Sequence, residues 1–390
     1  MDEMTPYERL RAAIELRPVD RVPVAPKIDT SYAARSHGVP LARVVRDAEL
    51  GQKILEQTFA DLGGCDCALQ AGMNDLGLST LGIVTRLPGY HLGEDELWQL
   101  EEQEIMRVED YDFIAQHSWI AYIEMVYPRL VEKGMPVPVE KFGSRLGEAF
   151  AREMQDMDTW EVLGVPTLFG FGPFLPVEGF RFTRSLQALI GDLFRRPDKF
   201  TAAAEACLEE QIPLGIKNFY AVKETKKWGY LSFQIGQTTG SLLSPMLFKK
   251  HYWPYEKKLI NALVDAGITP WLHCDSNWTP FLEYFLELPR GSVVLDLDGL
   301  TDIFKAKAIL KGHSCISGDV PASLLKLGTP QEVSEYCKKL IDIVGDGSGF
   351  ILSSGCSVPV DARPENVKAL VDTGKTYFPH QRLFLGGGLA

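Results

Sequence analysis

The sequence lacks any long uninterrupted apolar run: no stretch approaches the roughly 18 apolar residues that a membrane-spanning helix requires. Residues 1–20 are charged and predict an amphipathic helix, so they do not resemble the short apolar core of a secretory signal peptide. We therefore expect a cytoplasmic protein that makes no contact with a membrane.

An excess of basic residues is also missing. The chain carries 40 Lys and Arg against 52 Asp and Glu, which gives a formal net charge of -12. A broad phosphate-binding surface needs clustered cations, so we expect no nucleic-acid partner.

Nor does the sequence indicate a disulfide framework, because its seven cysteines are odd in number and scattered over a long chain. Most of them are expected to be small buried residues. Cys65 and Cys67 form a C-x-C pair that could bind a metal ion. They fall within a strand-like run, however, which favours a role in the core.

What the sequence has in quantity is apolar residues, 45% of the chain, which is enough for a large core. The first helix is predicted over residues 6–16, with Thr5 as its N-cap, Pro6 at its first position and Glu8 three residues after the cap. From there, helical stretches alternate with short apolar segments. Eight of these segments predict strands: residues 22–26, 65–70, 167–171, 230–235, 270–274, 293–297, 315–317 and 349–352.

This alternation is typical of a parallel sheet covered by helices. Eight strands buried on both faces fit a closed barrel better than an open sheet. We therefore predict an α/β fold, a single-domain (β/α)8 TIM barrel over residues 1–390. Residues 1–150 would supply N-terminal helices, the first strands and an antiparallel hairpin inserted at residues 79–106, and residues 151–390 would supply the remaining strands and helices.

Polar side chains follow several of the predicted strands, and strand ends form the mouth where barrel enzymes build their active sites. His273 and Asp275 are two residues apart and project to the same side of an extended strand, while Cys356 follows the last strand. All three residue types bind zinc, and three ligands would leave a fourth position open, as in catalytic sites. A strand-end histidine can equally be a hydrogen-bonded structural residue. A bulge could also turn Cys274 inward in place of Asp275.

Four sequence motifs make the chain similar to a known family. Together they resemble the uroporphyrinogen decarboxylase superfamily and, within it, the branch of cobalamin-dependent methyltransferases. The resemblance covers nearly the whole chain. The motifs are L-H-C-D-S-N at 272–277, G-D-V-P at 318–321, S-G-C-S-V-P at 354–359 and P-E-N-V at 364–367.

Two features of the true decarboxylases are missing. Those enzymes carry a Q-A-G-R-Y motif after the first strand and a histidine in the turn after the last strand, whereas this chain has P-K-I-D-T at residues 26–30 and Cys356. A tetrapyrrole with many carboxylates would need several cations at the mouth. A decarboxylase-like lyase is therefore only a second alternative.

The methyltransferase branch is characterised by a zinc motif His-x-Cys, with a distant cysteine as the third ligand. The resemblance implies zinc ligands at His273 and Cys356, with Asp275 in place of the middle cysteine. It also implies a corrinoid on a partner protein, since no D-x-H-x-x-G motif occurs here. A carboxylate makes zinc a harder Lewis acid than a thiolate does, which favours an ether oxygen over a thiol. We expect an O-demethylase acting on methoxylated aromatics, with a methylcobamide:thiol (coenzyme M type) methyltransferase as the alternative.

Residues at and near the predicted strand ends are candidates to surround the substrate of such an enzyme. Glu178 is the candidate proton donor to the departing phenolate, provided that burial raises its pKa. Two glutamines could hydrogen-bond substrate oxygens and three aromatic residues could enclose its ring: Gln234, Gln237, Phe171, Phe174 and Trp278. Each of these could instead serve loop or core packing. Asp298 and Asp319 are predicted to cap the helices that follow them.

Overall fold

The computed structural model of the protein describes residues 3–69, 83–133, 138–168, 173, 175–226, 234–237 and 239–378. Within these ranges no helix is both long and apolar enough to cross a membrane. The α-helices are Pro6–Ile14, Thr30–Ser36, Leu41–Arg46, Ala48–Asp61, Asp110–Glu132, Phe142–Val162, Pro176–Arg184, Leu186–Arg195, Pro197–Lys223, Thr239–Leu242, Pro245–His251, Trp253–Asp265, Ile303–Leu310, Ala322–Leu327, Pro330–Ile343 and Pro364–Thr376, and 3₁₀ helices span Val139–Lys141 and Thr279–Glu287.

The first helix begins as its sequence predicts. The Glu8 N–H donates to Thr5 Oγ1 at 3.2 Å, and the Thr5 N–H donates to the Glu8 carboxylate at 2.9 Å. These reciprocal bonds form a capping box. The helix ends at Ile14 rather than at residue 16, because Leu16 has a left-handed φ of 59° that no helix can continue through.

The strands in the described residues form two sheets. They are β1 (Val84–Arg86), β2 (Gln99–Glu101), β3 (Gln234–Gln237), β4 (Trp271–Cys274), β5 (Val294–Leu297), β6 (Cys315–Val320) and β7 (Phe350–Ser354). β1 and β2 pair antiparallel, as the hairpin predicted within residues 79–106 requires. β3 to β7 form a parallel sheet in chain order. The prediction of an α/β fold built on a parallel sheet is confirmed.

Segments from the N-terminal half extend this sheet beyond β7. Val24 pairs in parallel with Leu352 of β7, and the Asp66 N–H donates to the Val24 carbonyl at 2.7 Å. Ala68 in turn pairs in parallel with Thr167. This neighbour order is the one a (β/α)8 barrel has. The contact that would close the ring, between the Thr167 segment and β3, falls on residues outside the described ranges.

Alternation along the strands sorts the inward-facing side chains into two layers. The lower layer is apolar and packs against the first helix; it contains Ala25, Cys67, Trp271, Val294, Cys315 and Ile351. On five of these six segments the next inward position is polar and buried: Lys27, His273, Asp296, Ser317 and Ser353. On the segment of Cys67 that position is Leu69, which belongs to the apolar cluster. The fold therefore sets a polar layer on an apolar floor, on the side of the strand C-termini.

The C-x-C pair belongs to the core. Cys65 and Cys67 are both buried and lie in two different apolar clusters. Of the seven cysteines, all except the half-buried Cys356 are buried, and none is in a disulfide. Burial raises the pKa of the Cys65 thiol to about 12, which disfavours the thiolate that a metal would bind.

Buried ion pairs connect the first helix to the segments that carry Asp20 and Asp66, next to the apolar layer. Arg9 Nη1 lies 2.6 Å from Asp66 Oδ1, and Arg9 Nε lies 2.7 Å from Asp20 Oδ1. Arg21 Nη1 reaches the other Asp66 oxygen at 2.6 Å, and that oxygen also accepts the Val24 N–H at 2.8 Å. Asp66 therefore pairs with two guanidinium groups and one strand backbone, all of them removed from water.

Replacing Asp66 with asparagine should strongly destabilise the fold, because the change leaves two buried guanidinium groups short of negative charge. Breaking a buried pair in this way costs about 3–5 kcal/mol. The loss should appear as a lower denaturant midpoint at an unchanged m-value. The control Glu49→Gln breaks the exposed pair with Lys53 and should leave the midpoint unchanged. Equal midpoints for the two variants would contradict the role given to Asp66.

Candidate metal centre

The alternation of β4 decides which side chains enter the barrel. His273 faces inward, one position above Trp271 of the apolar floor. Cys274 lies on the opposite face, fully buried in the core beneath the helices. Burial and, after it, the charge of Glu256 raise the pKa of the Cys274 thiol well above its ordinary value. Of the two residues considered for the middle position, the structure brings Asp275 and not Cys274 to His273.

His273, Asp275 and Cys356 meet at the C-terminal end of the parallel strands. His273 Nε2 lies 3.2 Å from Asp275 Oδ1 and 3.5 Å from Cys356 Sγ. One ligand atom from each residue falls within 4.8 Å of the other two. Tetrahedral zinc with bonds of about 2.0–2.3 Å holds its ligand atoms about 3.3–3.8 Å apart. The three donor atoms therefore have a spacing that zinc can occupy with small adjustments.

The loop after β4 holds Asp275 by its backbone. The Asp275 carbonyl accepts the indole N–H of Trp278 at 2.8 Å and the hydroxyl of Ser241 at 3.1 Å. The next residue, Ser276, has a φ of 68°, and its N–H donates to Asp298 Oδ2 at 2.6 Å. These bonds stabilise a sharp turn immediately after Asp275, so its carboxylate is presented by a rigid segment.

Cys356 is brought to the same place by the turn that follows β7. The Gly355 N–H donates to the Val320 carbonyl at the end of β6, 2.8 Å away. A Cβ atom at Gly355 would collide with the Asp298 carbonyl, so only glycine allows this close approach. The glycine before Cys356 therefore lets the thiol sit against the neighbouring strand ends.

A buried carboxylate orients the imidazole from the opposite side. Asp296 Oδ2 lies 2.7 Å from His273 Nδ1, which leaves Nε2 to face the other two donors. Asp296 Oδ1 lies 2.8 Å from Nζ of Lys27. Burial alone raises the pKa of Asp296, but Lys27 and His273 together hold it below its ordinary value. Metal-binding histidines almost always donate their second ring nitrogen to such a partner, so this pairing suits a ligand.

The charges of the centre favour a cation at the meeting point of the donors. Burial by itself lowers the pKa of His273, but hydrogen bonds with the two carboxylates and the thiol around it raise that pKa well above its usual value. Burial opposes ionisation of Cys356, yet contact with His273 brings the pKa of the thiol below its ordinary value. Imidazole, carboxylate and thiolate are the usual donors to zinc, so the residues present fit this metal.

The predicted proton donor Glu178 lies on helix Pro176–Arg184 and is buried. Its Oε1 accepts the hydroxyl of Tyr252 at 2.9 Å. Burial and, after it, the charge of Glu178 raise the pKa of Tyr252 well above its ordinary value, so this hydroxyl keeps its proton. The role of Glu178 in catalysis stays a prediction.

The structure describes only some of the five residues predicted to contact the substrate. Trp278 is fully buried, with Phe248 and Tyr252 packed edge-on against its ring, so its described contacts are with the protein. Gln234 and Gln237 begin and end β3, where Gln237 pairs in register with Cys274, and their side chains lie outside the description. Phe171 and Phe174 lie outside the described residues altogether. Contact of these five residues with substrate stays a prediction.

The two predicted helix caps are wrong. The carboxylate of Asp319 accepts the hydroxyl of Tyr336 at 2.9 Å, and helix Ala322–Leu327 begins without a side-chain cap. Asp302 caps helix Ile303–Leu310, while Asp298 accepts the N–H groups of Ser276 and Leu300. Asp298 is the first residue after β5 and Asp319 is the second-last residue of β6, whereas the helices begin only at Ile303 and Ala322.

Sequence reasoning also does not single out Lys27 or Asp296. The available signal is a charged residue at an inward position of an otherwise apolar strand. Asp296 stands between Leu295 and Leu297, and Lys27 follows the run V-P-V-A-P. Such residues are buried by the fold, and a buried charge requires a partner.

Comparisons with known proteins point to one family. Residues 188–377 match the model of the family described as uroporphyrinogen decarboxylase (URO-D). The methylcobamide:CoM methyltransferase MtbA of Methanosarcina mazei is 24% identical over 387 residues, which cover 97% of this chain and 99% of that protein. The uroporphyrinogen decarboxylase of Syntrophotalea carbinolica is 26% identical over 218 residues, which cover 54% of this chain and 60% of that protein.

A solved structure has the same fold. It is a methyltransferase from Methanosarcina mazei, with a TM-score of 0.67 at 17% identity, covering 96% of this chain and 99% of that one. The likeness extends over almost the full length of both chains, so the helices and strands of the N-terminal part belong to the shared fold.

Metal analysis can separate Asp275 from its neighbour Cys274. We expect about one zinc ion per purified chain, since three protein ligands suffice for a catalytic zinc. Asp275→Ala should lose most of this zinc on dialysis, because it removes one of three donors. The control Cys274→Ala, one residue away on the opposite face, should keep it. Zinc loss in the Cys274 variant alone would show that the middle ligand is misassigned.

Proposed function

Because the chain belongs to the uroporphyrinogen decarboxylase superfamily, we propose that it is a zinc-containing, corrinoid-dependent methyltransferase. In the proposed reaction, the bond between methyl carbon and oxygen of an aromatic methyl ether breaks. The methyl group passes to cob(I)alamin on a partner corrinoid protein, and the oxygen leaves as a phenolate. The observation that carries the proposal is the meeting of His273, Asp275 and Cys356 at the strand ends.

The three donors would hold zinc with one coordination position left for the substrate. Zinc bound there would act as a Lewis acid on the ether oxygen. Asp275 leaves this centre with one thiolate, whereas a His-x-Cys motif with a distant cysteine as third ligand would give two. Fewer thiolates favour a hard oxygen ligand over a sulfur ligand. His273 keeps its orientation through Asp296, so the position of Nε2 does not depend on the substrate.

Around this centre, the substrate would be held by the residues that the sequence indicates. Phe171, Phe174 and Trp278 would enclose the aromatic ring, and Gln234 and Gln237 would hydrogen-bond its oxygens. Glu178, which is buried and accepts the Tyr252 hydroxyl, would return a proton to the phenolate.

Exposed apolar side chains at the barrel mouth support a protein partner. Leu300 lies in the loop after β5, Leu327 ends the helix after β6, and Met246 lies in the second helix after β3. Each is more than 60% exposed. A contiguous patch formed by such side chains would be a surface of the kind that contacts another macromolecule. We propose that the corrinoid protein docks on this rim with its cofactor toward His273.

A decarboxylase function has less support. The true enzymes use cations after the first strand to hold substrate carboxylates, but the cation at this place, Lys27, is 1% exposed. Its ammonium group is bound to Asp296 and to the carbonyls of Ser354 and Gly355. A substrate carboxylate would have to displace all of these contacts, so Lys27 does not serve as a substrate ligand.

The second candidate function is transfer from a methylcobamide to a thiol such as coenzyme M. It is favoured by the relative from Methanosarcina mazei, which is named for this activity and whose similarity covers 97% of this chain. The two candidates share zinc, corrinoid and fold, and they differ in the atom that contacts the metal. Asp275 favours the oxygen substrate.

A substrate screen tests the proposal. Purified protein is mixed with cob(I)alamin and each of a set of methoxylated aromatics. With at least one of these compounds, the absorbance of cobalt(I) should decrease as the cobalt is methylated. Cys356→Ser should abolish this reaction, because it removes a zinc donor, while Cys337→Ser, a buried cysteine on helix Pro330–Ile343, should remain active. Methyl transfer from methylcobalamin to a thiol, without any reaction of a methoxyarene, would support the second candidate instead.

A further inference from the structure

Lys27 is a fully buried lysine in the polar layer of the barrel. Its Nζ lies 2.8 Å from Asp296 Oδ1 and donates to the carbonyls of Ser354 at 2.6 Å and Gly355 at 3.1 Å. Ser353 Oγ lies 3.2 Å away. The ammonium group therefore donates its three hydrogen bonds to neutral oxygens and has the Asp296 carboxylate beside it as an ionic partner.

Through these contacts Lys27 is linked to two of the three metal-binding candidates, His273 and Cys356, by two separate routes, each a chain of polar contacts. The first route runs through Asp296 to Nδ1 of His273. The second runs through the carbonyls of the Ser354 and Gly355 peptides to the turn that carries Cys356.

The backbone of Lys27 strengthens the second route. Its N–H donates to Ser354 Oγ at 2.9 Å, and its carbonyl accepts the Val358 N–H at 2.8 Å. The turn containing Cys356 is thus bonded to residue 27 on both sides. A shift of Lys27 would move this turn relative to β4, and with it the distance from Cys356 to His273.

The charge of Lys27 also matches a need of the centre. Zinc with Asp275 and Cys356 is neutral overall, which leaves Asp296 as an additional buried negative charge. A buried carboxylate is costly unless it is paired, and the Lys27 ammonium supplies that pairing. The pair with Lys27 keeps the other Asp296 oxygen 2.7 Å from His273 Nδ1, so that Nε2 is the ring nitrogen that faces Asp275 and Cys356.

From these contacts we propose that Lys27 is a positioning residue that sets the zinc affinity and the thiolate geometry of the centre. The lysine stands in the P-K-I-D-T stretch, where the decarboxylases carry an arginine motif for substrate. Here the cation is directed into the protein, toward the metal-binding residues. This inference rests on the proposed zinc centre.

The test compares zinc affinity across matched lysine variants. Lys27→Met should raise the zinc dissociation constant, measured by chelator competition, by about 10- to 100-fold, as is usual when an outer partner of a metal ligand is lost. Lys307→Met is the control, since Lys307 is also buried but bonds the Ser348 carbonyl before β7, at the far end of the strand. It should bind zinc as the unmodified protein does.

A spectroscopic signature separates positioning from general stability. With cobalt(II) in place of zinc, Lys27→Met should change the thiolate-to-cobalt charge-transfer absorption, because Cys356 shifts, whereas Lys307→Met should not. Lys27→Arg, which keeps charge and donors, should recover part of the zinc affinity. Unchanged affinity and spectrum in folded Lys27→Met would overturn the proposal.

If Lys27→Met does not fold, Asp296→Asn is the alternative variant. It removes the charge that links Lys27 to His273 and keeps a side chain of the same shape. This variant should weaken zinc binding in the same range, and unchanged affinity in the folded protein would overturn the proposal. The unmodified protein separates the two levels of inference. If the unmodified protein binds no zinc, the proposed function itself is contradicted. If the unmodified protein and the variants bind zinc equally well, only the role of Lys27 is contradicted.

Discussion

The ion pair between Lys27 and Asp296 is the contact on which the candidate centre depends. It joins the first strand segment to β5 in the middle of the barrel, and each partner extends the contact to a different metal-binding residue. Two buried charges stabilise little by themselves, because the cost of desolvation offsets their attraction. Their retention is better explained by what they orient, namely the imidazole of His273 and the turn of Cys356.

The position of this pair follows from the period of a strand. Trp271, Val294 and Cys315 form the apolar floor, and two residues later on each strand come His273, Asp296 and Ser317. A shift of one residue in β4 would bring Cys274 inward and bury His273 beneath the helices. The apolar floor therefore fixes the register, and the register selects the metal-binding residues. Buried ion pairs of Arg9 and Arg21 with Asp66 hold the floor in place from below.

Sequence alone predicts the parallel α/β fold, the hairpin and the grouping of His273, Asp275 and Cys356, because periodicity and strand-end position carry that information. It does not reveal Lys27 or Asp296, whose roles come from partners distant in sequence. It also misplaces Asp298 and Asp319, since a polar residue before a helix resembles a cap whether its side chain faces the helix or the barrel. Which of Cys274 and Asp275 faces inward becomes clear only when the register of β4 is known.

The most direct measurement is X-ray absorption at the zinc edge of the purified protein. Ligation by His273, Asp275 and Cys356 predicts a single sulfur at about 2.3 Å, with the remaining nitrogen and oxygen ligands at about 2.0–2.2 Å. Two sulfur ligands would mean that Cys274 or another thiol replaces Asp275. That result, or the absence of zinc, would contradict a zinc centre that is formed by His273, Asp275 and Cys356, positioned by the Lys27–Asp296 pair and selective for an oxygen ligand.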